Sequence, residues 1–449
     1  FQYIVESFVV AFVALALAFI FLPIVQQGYH FTTKIIVIAG VFTGITAVCA
    51  GGFPAWILSS FKPVLVLKNF STQKLFGNIS LQKGLMVFQF SISILVIIFL
   101  TVYYQQFHYL QNVNTGFASA NIITLPATAN DEFFLNEVQR INGVEDVSRM
   151  SDDFGIRGTG FTPVFLDKPV NQQGLIAEYY FADAGAIPVH QLKIIAGTNF
   201  NDDEIAGPEK YVLINEKAVR VLGFKKPLNA INKTIWLNDS TQVAIKGVLA
   251  DFYDKGAARN INPLLLRNKQ DAFNYINILV NEKSKTNALR QVAAAWKNLH
   301  PHTPFEYQWL DMKIADRDDQ GETYSTMGFI ALIVITIASL GLLGLVIYTV
   351  ETRQKEISIR KIIGAEVSQL MYMLSKSFVK LIVIAGLVAL PVAYILSFMF
   401  LQNFPTRIIV GPGILLSGFL FLLLIGLMTI LWNTYKASII NPIQNLRAE

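Results

Sequence analysis

The chain has 449 residues, of which 53% are hydrophobic and only 15% charged, and its mean hydropathy is +0.46. Because soluble proteins usually contain about a quarter charged residues, this composition excludes an ordinary soluble protein. Residues 106–322 contain 22 bases and 26 acids, a net charge of −4. Because the whole chain has a net charge of +5, the remaining residues carry +9. The basic balance therefore belongs to the apolar part and does not indicate a nucleic-acid partner.

Six apolar runs are long enough to cross a bilayer, which needs about 20 residues of helix. They cover roughly residues 4–26, 35–57, 84–105, 326–350, 377–400 and 409–432. The pattern predicts an α-helical membrane protein with six transmembrane helices. An α+β domain at 106–322 is expected to be inserted between helices 3 and 4.

Charge predicts the orientation of these helices. Twelve of the 14 bases outside residues 106–322 lie in or next to the segments after the second, fourth and sixth apolar runs. The positive-inside rule places those segments in the cytosol. The loop at 27–34, the domain at 106–322 and the loop at 401–408 are then on the outer side, and the C-terminus is cytosolic.

The second connection, at 58–83, contains four Lys and no acid among apolar residues. This pattern predicts a basic amphipathic linker that lies on the inner membrane surface. A plain linker is the alternative.

The outer domain alternates strand-like and helical stretches. Strands are predicted at 122–125, 144–147, 211–214, 234–237, 242–250, 276–280 and 305–309, and helices at 131–141, 216–222 and 285–299. A middle part at about 155–235 is expected to be inserted into a βαβ-like frame. Asn215, Glu216 and Asp251 are expected to serve turn and cap chemistry, with ligand contact as the alternative.

A short charged stretch at 351–364 separates the fourth and fifth apolar runs. Glu356 and Arg360 are four residues apart with the acid first, the favourable order on a helix. Ile359, Ile362 and Ile363 fall on one helical face, and Gly364 supplies a stop. The stretch predicts an amphipathic helix outside the bilayer, although a solvated loop that obeys the positive-inside rule is the alternative.

The sequence RQKEISIRKIIGA at 353–365 resembles the motif of the FtsX-like, MacB-type ABC transporter permeases, in which it forms the coupling helix that docks on a cytosolic ATPase. One departure is Glu366, where a Ser or Thr would commonly cap the next helix. The resemblance implies the following ATPase-coupling residues: Arg353, Lys355, Glu356, Ile357, Ile359, Arg360, Lys361, Ile363 and Gly364.

Further stretches carry the same resemblance. Those at 50–63 and 84–93 are similar to the junction of a two-half permease, and the ending at 441–449 is similar to the family's C-terminus. Local motifs at 196–200, 212–218 and 247–252 are similar to the family's periplasmic core domain.

The resemblance divides the chain into five parts. Residues 1–57 would be the last two helices of a first FtsX-like half, 58–83 the linker and 84–105 a transmembrane helix. Residues 106–322 would be the MacB-like periplasmic core, and 323–449 an FtsX-like domain with three helices. Because an apolar helix begins almost at residue 1, we expect a fragment that lacks its N-terminal part.

The function implied is that of a non-catalytic permease subunit in a bacterial inner membrane. It would pass ATP-driven motion to its periplasmic domain by mechanotransmission, for export or extraction of an unidentified substrate. The expected partners are a cytosolic ABC ATPase that binds the ATP, the lipid bilayer, a periplasmic or outer-membrane protein and a second FtsX-like half. One alternative is a non-transporting signalling protein that controls a periplasmic partner such as a cell-wall hydrolase. Another is a membrane-anchored enzyme.

Motifs for chemistry are absent from the sequence. It contains no G-x-x-x-x-G-K-[ST], no G-x-S-x-G and no H-E-x-x-H,. Cys49 is the single cysteine, and His300 and His302 have no third ligand at a suitable spacing,. We therefore predict no catalytic, cofactor-binding or metal-binding residues in this chain.

Overall fold

The structure, a computed structural model, describes residues 2–25, 32–59, 81–128, 131–156, 160–168, 174–201, 208–238 and 241–439. Most of the predicted linker at 58–83, part of the loop at 27–34 and the C-terminal motif at 441–449 lie outside the described residues, as does the side chain of Cys49. The chain divides into two compact units, Phe1–Leu85 and Met86–Glu449.

The first unit contains helices α1 (Gln2–Val25) and α2 (Thr33–Ser59), which pack against each other. Helix α3 (Leu81–Gln111) follows and leads into the α+β domain. In chain order this domain contains β1 (Ile122–Pro126), α4 (Asp131–Val138), β2 (Val144–Met150), β3 (Gly160–Phe165), β4 (Leu175–Phe181), α5 (Ala186–Val189), β5 (Ile194–Gly197), β6 (Tyr211–Asn215), α6 (Glu216–Val221), β7 (Thr234–Leu237), β8 (Thr241–Leu249), β9 (Leu264–Arg267), β10 (Tyr275–Val280), α7 (Lys285–Leu299), β11 (Gln308–Trp309) and α8 (Leu310–Arg317).

The frame of the domain is a four-stranded antiparallel sheet in the order β11-β1-β10-β2. Helices α4 and α7 pack on it through Phe134 and Trp296, whose rings meet edge to face with centroids 5.1 Å apart. The chain order β1-α4-β2 and β10-α7-β11 makes this a split βαβ arrangement. A βαβ-like frame was the prediction, and the sheet confirms it.

A second sheet, in the order β5-β8-β6-β9-β4-β3-β7, is inserted between β2 and β10. Strand β7 also pairs with β8, for example at Ile235 and Val243, so six of the strands close into a ring. Val164, Ile214, Ile245 and Leu265 are buried in one cluster with these two residues.

The upper limit predicted for the inserted part, about 155–235, was wrong, because its strands extend from Gly160 to Arg267. The strand predicted at 305–309 is reduced to Gln308–Trp309, and the Glu306 N–H donates to the nearby Pro304 carbonyl over 3.1 Å instead of to a neighbouring strand. Helix α4 is three residues shorter than predicted. Strands β3, β4, β5 and β9 were not predicted.

After α8 the chain forms α9 (Gly321–Thr352), α10 (Gln354–Ile362), α11 (Val367–Leu401) and α12 (Pro412–Ile439). Within the described residues five segments are long and apolar enough to span a membrane: Thr33–Gly52, Lys83–Gln111, Leu310–Val350, Val367–Leu401 and Pro412–Asn433. In α1 only the shorter apolar stretch Val5–Ile20 is found. Five of the six predicted crossings are therefore supported, and the first stays a prediction.

The membrane helices of the second unit share one apolar core. Along α3 its residues recur every fourth position, at Met86, Phe90, Ile94, Ile98 and Val102, so they form one stripe on the helix,. Side chains of α9, α11 and α12 complete the cluster, among them Leu342, Ile382 and Leu422.

Glycines allow these helices to approach closely. A Cβ at Gly341 would overlap Gln89, one at Gly386 would overlap Phe419, and one at Gly418 would overlap Ile98. Small residues at such contacts are typical of helix packing in membranes.

Candidate functional site

Two ends of the helix bundle can be distinguished by what lies beside them. Helix α9 has 32 residues and is about 48 Å long,. Its start follows the α+β domain, so we call that end the domain side and the opposite end the distal side. The distal segment, residues 353–366, contains α10 and joins α9 to α11.

A glycine cap ends α10. Gly364 has φ +99°, a left-handed conformation that L side chains rarely adopt,. Its N–H donates to the Lys361 carbonyl over 3.2 Å, and the Ala365 N–H donates to the Arg360 carbonyl over 2.9 Å. This pair of bonds is a Schellman motif. The helix stop predicted at Gly364 is therefore confirmed, and it turns the chain sharply into α11.

Ile357 attaches α10 to the bundle. Its side chain is only 6% exposed and packs in a small cluster with Leu370 and Leu374 of α11. Val350 and Ala365 border the same cluster. The resemblance placed Ile357 among the ATPase-coupling residues. In the structure its side chain is instead buried against α11.

The opposite face of α10 is apolar and is not covered by the described residues. Ile359 is 52% exposed, Ile362 63% and Ile363 79%. At about 100° per residue, these three lie within about 60° of the direction opposite Ile357. The shared face predicted for Ile359, Ile362 and Ile363 is thus present as an exposed patch, which we call the distal isoleucine patch.

Charged groups lie beside this patch. The Arg360 guanidinium donates to the Glu356 carboxylate over 2.9 Å (Nη2 to Oε1), and both side chains are about half exposed. Arg353 is exposed at the start of α10, and Lys361 is half-buried. The backbone of Lys355 is helical, but its side chain lies outside the described part. An exposed apolar patch bordered by polar groups is a common form of protein interaction surface.

The domain side of the bundle is closed by contacts within the chain. Gln106 continues the buried stripe of α3 and is 0% exposed. Its Nε2 donates to the Thr406 carbonyl over 2.8 Å, and its Oε1 accepts from the Ile408 N–H over 3.0 Å. The hydroxyls of Thr406 and Tyr253 are 2.8 Å apart and hydrogen-bonded. One buried amide and one hydroxyl pair therefore join α3, the α11–α12 loop and the α+β domain.

Cap chemistry explains the polar residues singled out in the domain. The Asn215 side chain accepts from the Ala218 N–H over 2.9 Å, which is an N-cap of α6,. Asp251 accepts from the Lys217 N–H over 2.8 Å and forms an ion pair with Arg220. The prediction of turn and cap roles for Asn215 and Asp251 is confirmed.

Two buried acids of the α+β domain, Glu178 and Asp254, lie close enough to interact. Glu178 pairs with Lys255 over 2.6 Å, and the Tyr180 hydroxyl donates to Asp254 over 3.1 Å. Burial, followed by the charge of Glu178, raises the pKa of Asp254 to about 6. Burial also raises the pKa of Asp183 to about 6, although the paired Arg149 opposes this shift.

His190 lies in an aromatic cluster with Phe117 and Phe154 and is fully buried. Burial lowers the pKa of His190 to about 4, so the ring is neutral at pH 7. Its Nδ1 is 3.3 Å from the Ala118 carbonyl. Within the described residues no group of three or more His, Cys, Asp or Glu side chains is placed to hold a metal ion.

Comparison with known proteins finds similarity to the family that the coupling motif resembles. A model of the FtsX-like permease C-terminal domain matches residues 328–442, a stretch that contains all of α10. The chain is 24% identical over 336 residues to "Uncharacterized ABC transporter permease YknZ" of Bacillus subtilis (strain 168), an alignment that covers 72% of this chain and 81% of that protein. These two matches confirm the resemblance read from the coupling motif.

Two solved structures are also similar to part of this chain. The extracellular domain of the noncanonic ABC-type transporter YknZ from Gram-positive bacteria has 13% sequence identity and a TM-score of 0.30, covering 42% of this chain and 97% of its own. The periplasmic region of MacB from Actinobacillus actinomycetemcomitans has 14% identity and a TM-score of 0.32, covering 47% of this chain and 98% of its own.

Proposed function

Because this chain carries the C-terminal domain of the FtsX-like permeases and is similar to an ABC transporter permease, we propose that it is the permease subunit of a bacterial ABC transporter that works by mechanotransmission. ATP would be bound and hydrolysed by a separate cytosolic subunit. The permease subunit would carry the resulting motion through its helices to the α+β domain, where an unidentified substrate is exported or extracted.

The distal isoleucine patch is the observation that carries this proposal. Ile359, Ile362 and Ile363 are exposed on one face of a helix that Ile357 and the Gly364 cap hold firmly to the bundle. An apolar face on a short rigid helix suits docking into a groove of a partner protein. Such a helix can transmit force, since its opposite face is seated on α11.

The remaining parts follow the same proposal. The chain would cross the inner membrane six times, with the α+β domain periplasmic between helices 3 and 4 and the C-terminus cytosolic. Residues 1–57 would be the last two helices of a first FtsX-like half, and 323–449 the second half. Two such halves would face each other, and a periplasmic or outer-membrane protein would meet the outer domain.

The test is capture of an ABC ATPase from solubilised membranes of the producing bacterium, with the ATPase identified by mass spectrometry and its ATP hydrolysis measured. The double variant Ile362→Ser with Ile363→Ser should reduce capture about tenfold, the loss expected at interface hot spots. Ile409 is 89% exposed but lies on the domain side. Ile409→Ser is therefore the matched control and should capture the wild-type amount.

Equal capture by the double variant and the wild type would remove the patch from the coupling interface. An equal loss in Ile409→Ser would show that the effect is one of general surface hydrophobicity. Failure of the wild-type chain to retain any ABC ATPase would contradict the permease role itself.

A further inference from the structure

A cleft of about 610 Å³ lies between the α+β domain and the domain side of the bundle. We call it the junction cleft. Phe107 and Leu110 of α3 and Ile156 and Phe161 of the domain form its apolar wall. A neighbouring cavity of about 330 Å³ shares Phe161 and Arg259 with it, so the two form one continuous lining. The volume of the cleft lies within the range of small-molecule binding sites, and its lining combines apolar with charged side chains.

Among the described residues, three cationic side chains line the junction cleft: Lys255, Arg259 and Arg317. Lys255 is paired with Glu178 and Arg317 with Asp318, each over 2.6 Å. Arg259 is exposed, and its guanidinium has no ion pair or hydrogen bond to any residue in the described part of the chain. The cleft therefore offers one guanidinium with all its donors available, beside an apolar wall.

Aromatic residues mark the depth of the cleft relative to the bilayer. The rings of Tyr104 and Tyr324 are 5.2 Å apart, and those of Tyr103 and Phe400 are 5.7 Å apart, so aromatic side chains of three helices meet at one level. Such belts lie at membrane–water interfaces. Phe107, which lines the cleft, is three residues beyond Tyr104, a rise of about 4.5 Å, and the headgroup layer is about 5–8 Å thick on each side. The cleft therefore opens at the level of the lipid headgroups.

We propose that the junction cleft binds the anionic headgroup of a phospholipid from the leaflet on the domain side. Arg259 would hold the phosphate, for which the guanidinium is geometrically suited. Phe107, Leu110 and Phe161 would cover the first part of the acyl chains. This inference depends on the membrane placement in the proposed function but not on the ATPase partner.

The test is equilibrium binding to the purified full chain in a neutral detergent. The probes are short-chain phosphatidylglycerol, phosphatidylcholine with the same acyl chains, and inorganic phosphate. We expect phosphatidylglycerol to bind about tenfold more tightly than phosphatidylcholine, because only the former leaves a net negative charge for Arg259. Inorganic phosphate should not compete at millimolar concentration, since it makes no apolar contact.

Variants then assign the site. Arg259→Gln should weaken phosphatidylglycerol binding about tenfold. Arg259→Lys should weaken it only about threefold, because the ammonium keeps the positive charge but loses the fork geometry of the guanidinium. Arg290 is an exposed arginine of α7 that does not line the cleft, so Arg290→Gln is the matched control and should bind normally.

Equal affinity for the two lipids, or an equal loss in Arg290→Gln, would overturn the proposal. Displacement by inorganic phosphate would show a site for free anions and would overturn the lipid assignment. ATPase capture measured on Arg259→Gln separates this outcome from the proposed function. That capture depends only on the distal segment and should be unchanged whether or not lipid binds.

Discussion

The two sides of the helix bundle are completed in different ways. On the domain side the buried amide of Gln106 and the Tyr253–Thr406 hydroxyl pair join α3, the α11–α12 loop and the α+β domain. On the distal side Ile357 is buried, but Ile359, Ile362 and Ile363 remain exposed. This difference between the two ends supports the proposal that a partner docks at the distal end.

The largest effect is expected from breaking the internal contact of the distal segment. Ile357→Asp would place a carboxylate against Leu370 and Leu374 and should cost more than about 3 kcal/mol of local stability,. Helix α10 would then detach more often, and trypsin should cut after Arg353 and Arg360 about a hundred times faster, since cleavage follows the open population.

Ile359→Asp is the control for this change. It introduces the same carboxylate two residues away, on the exposed face, and should leave the cleavage rate within about threefold of the wild type. If the two variants are cut at the same rate, the Ile357 contact does not hold α10 on the bundle. The two faces of α10 would then not differ in the way described.

The next effect tests the closed domain side. Gln106→Leu removes both hydrogen bonds of the side-chain amide. It leaves the Thr406 carbonyl and the Ile408 N–H without that partner. A buried group left unpaired costs about 1–3 kcal/mol, so we expect a loss of about 2–3 kcal/mol. The measurement is the apparent thermal unfolding midpoint of the full chain in detergent. Gln402 is exposed in the same loop, and Gln402→Leu should leave the midpoint in place. An unchanged midpoint for Gln106→Leu would mean that the loop is held by other contacts.

Buried titratable groups make the stability of the domain depend on pH. His190 has a pKa of about 4 when folded and about 6.5 when unfolded,. The unfolded chain therefore binds more protons below pH 6.5, and this contribution to stability is lost as the pH falls from 6.5 towards 4. Asp183 and Asp254, with folded pKa values of about 6, act in the opposite direction, because their protonated forms favour the fold as the pH falls from 6 towards 4.

His190→Leu should remove only the first of these contributions. Between pH 7 and pH 5 the variant should gain about 2 kcal/mol relative to the wild type. Unfolding midpoints of both proteins at the two pH values give this difference. A difference that does not change with pH would mean that His190 titrates normally in the folded chain.

The sequence predicted well where a pattern is local. The apolar runs predicted the long helices, the i, i+4 spacing and Gly364 predicted α10, and strands such as β6, β8 and β10 were predicted from runs of β-branched and aliphatic residues. Strand β4 was missed because its pattern includes Glu178, a buried charge that is explained only by Lys255 and Asn262 far along the chain. Strand β9 has four residues, and its partners β4 and β6 are likewise distant in sequence.

The same limit applies to the two sides of the bundle. Periodicity identified the face of Ile359, Ile362 and Ile363, but which face of α10 is covered depends on how α11 folds back. Nothing near Gln106 in sequence indicates that its partners are Thr406 and Ile408, about 300 residues later. Local chemistry is visible in a sequence, whereas contacts between distant segments require the fold.

The smallest effect on stability is expected at the Glu356–Arg360 pair, and it tests directly whether the distal side binds a partner. The Glu356–Arg360 pair is exposed, so Arg360→Glu should change the stability of the free chain by only about 0.5 kcal/mol,. If the pair serves recognition, the same variant should nevertheless reduce ATPase capture and uncouple hydrolysis from motion of the α+β domain, because like charges at an interface repel the partner. The swap of Glu356→Arg with Arg360→Glu keeps opposite charges four residues apart while exchanging their positions. A swap that restores capture would assign the pair to helix stability. A swap that captures as poorly as Arg360→Glu would mean that the partner reads each charge at its own position.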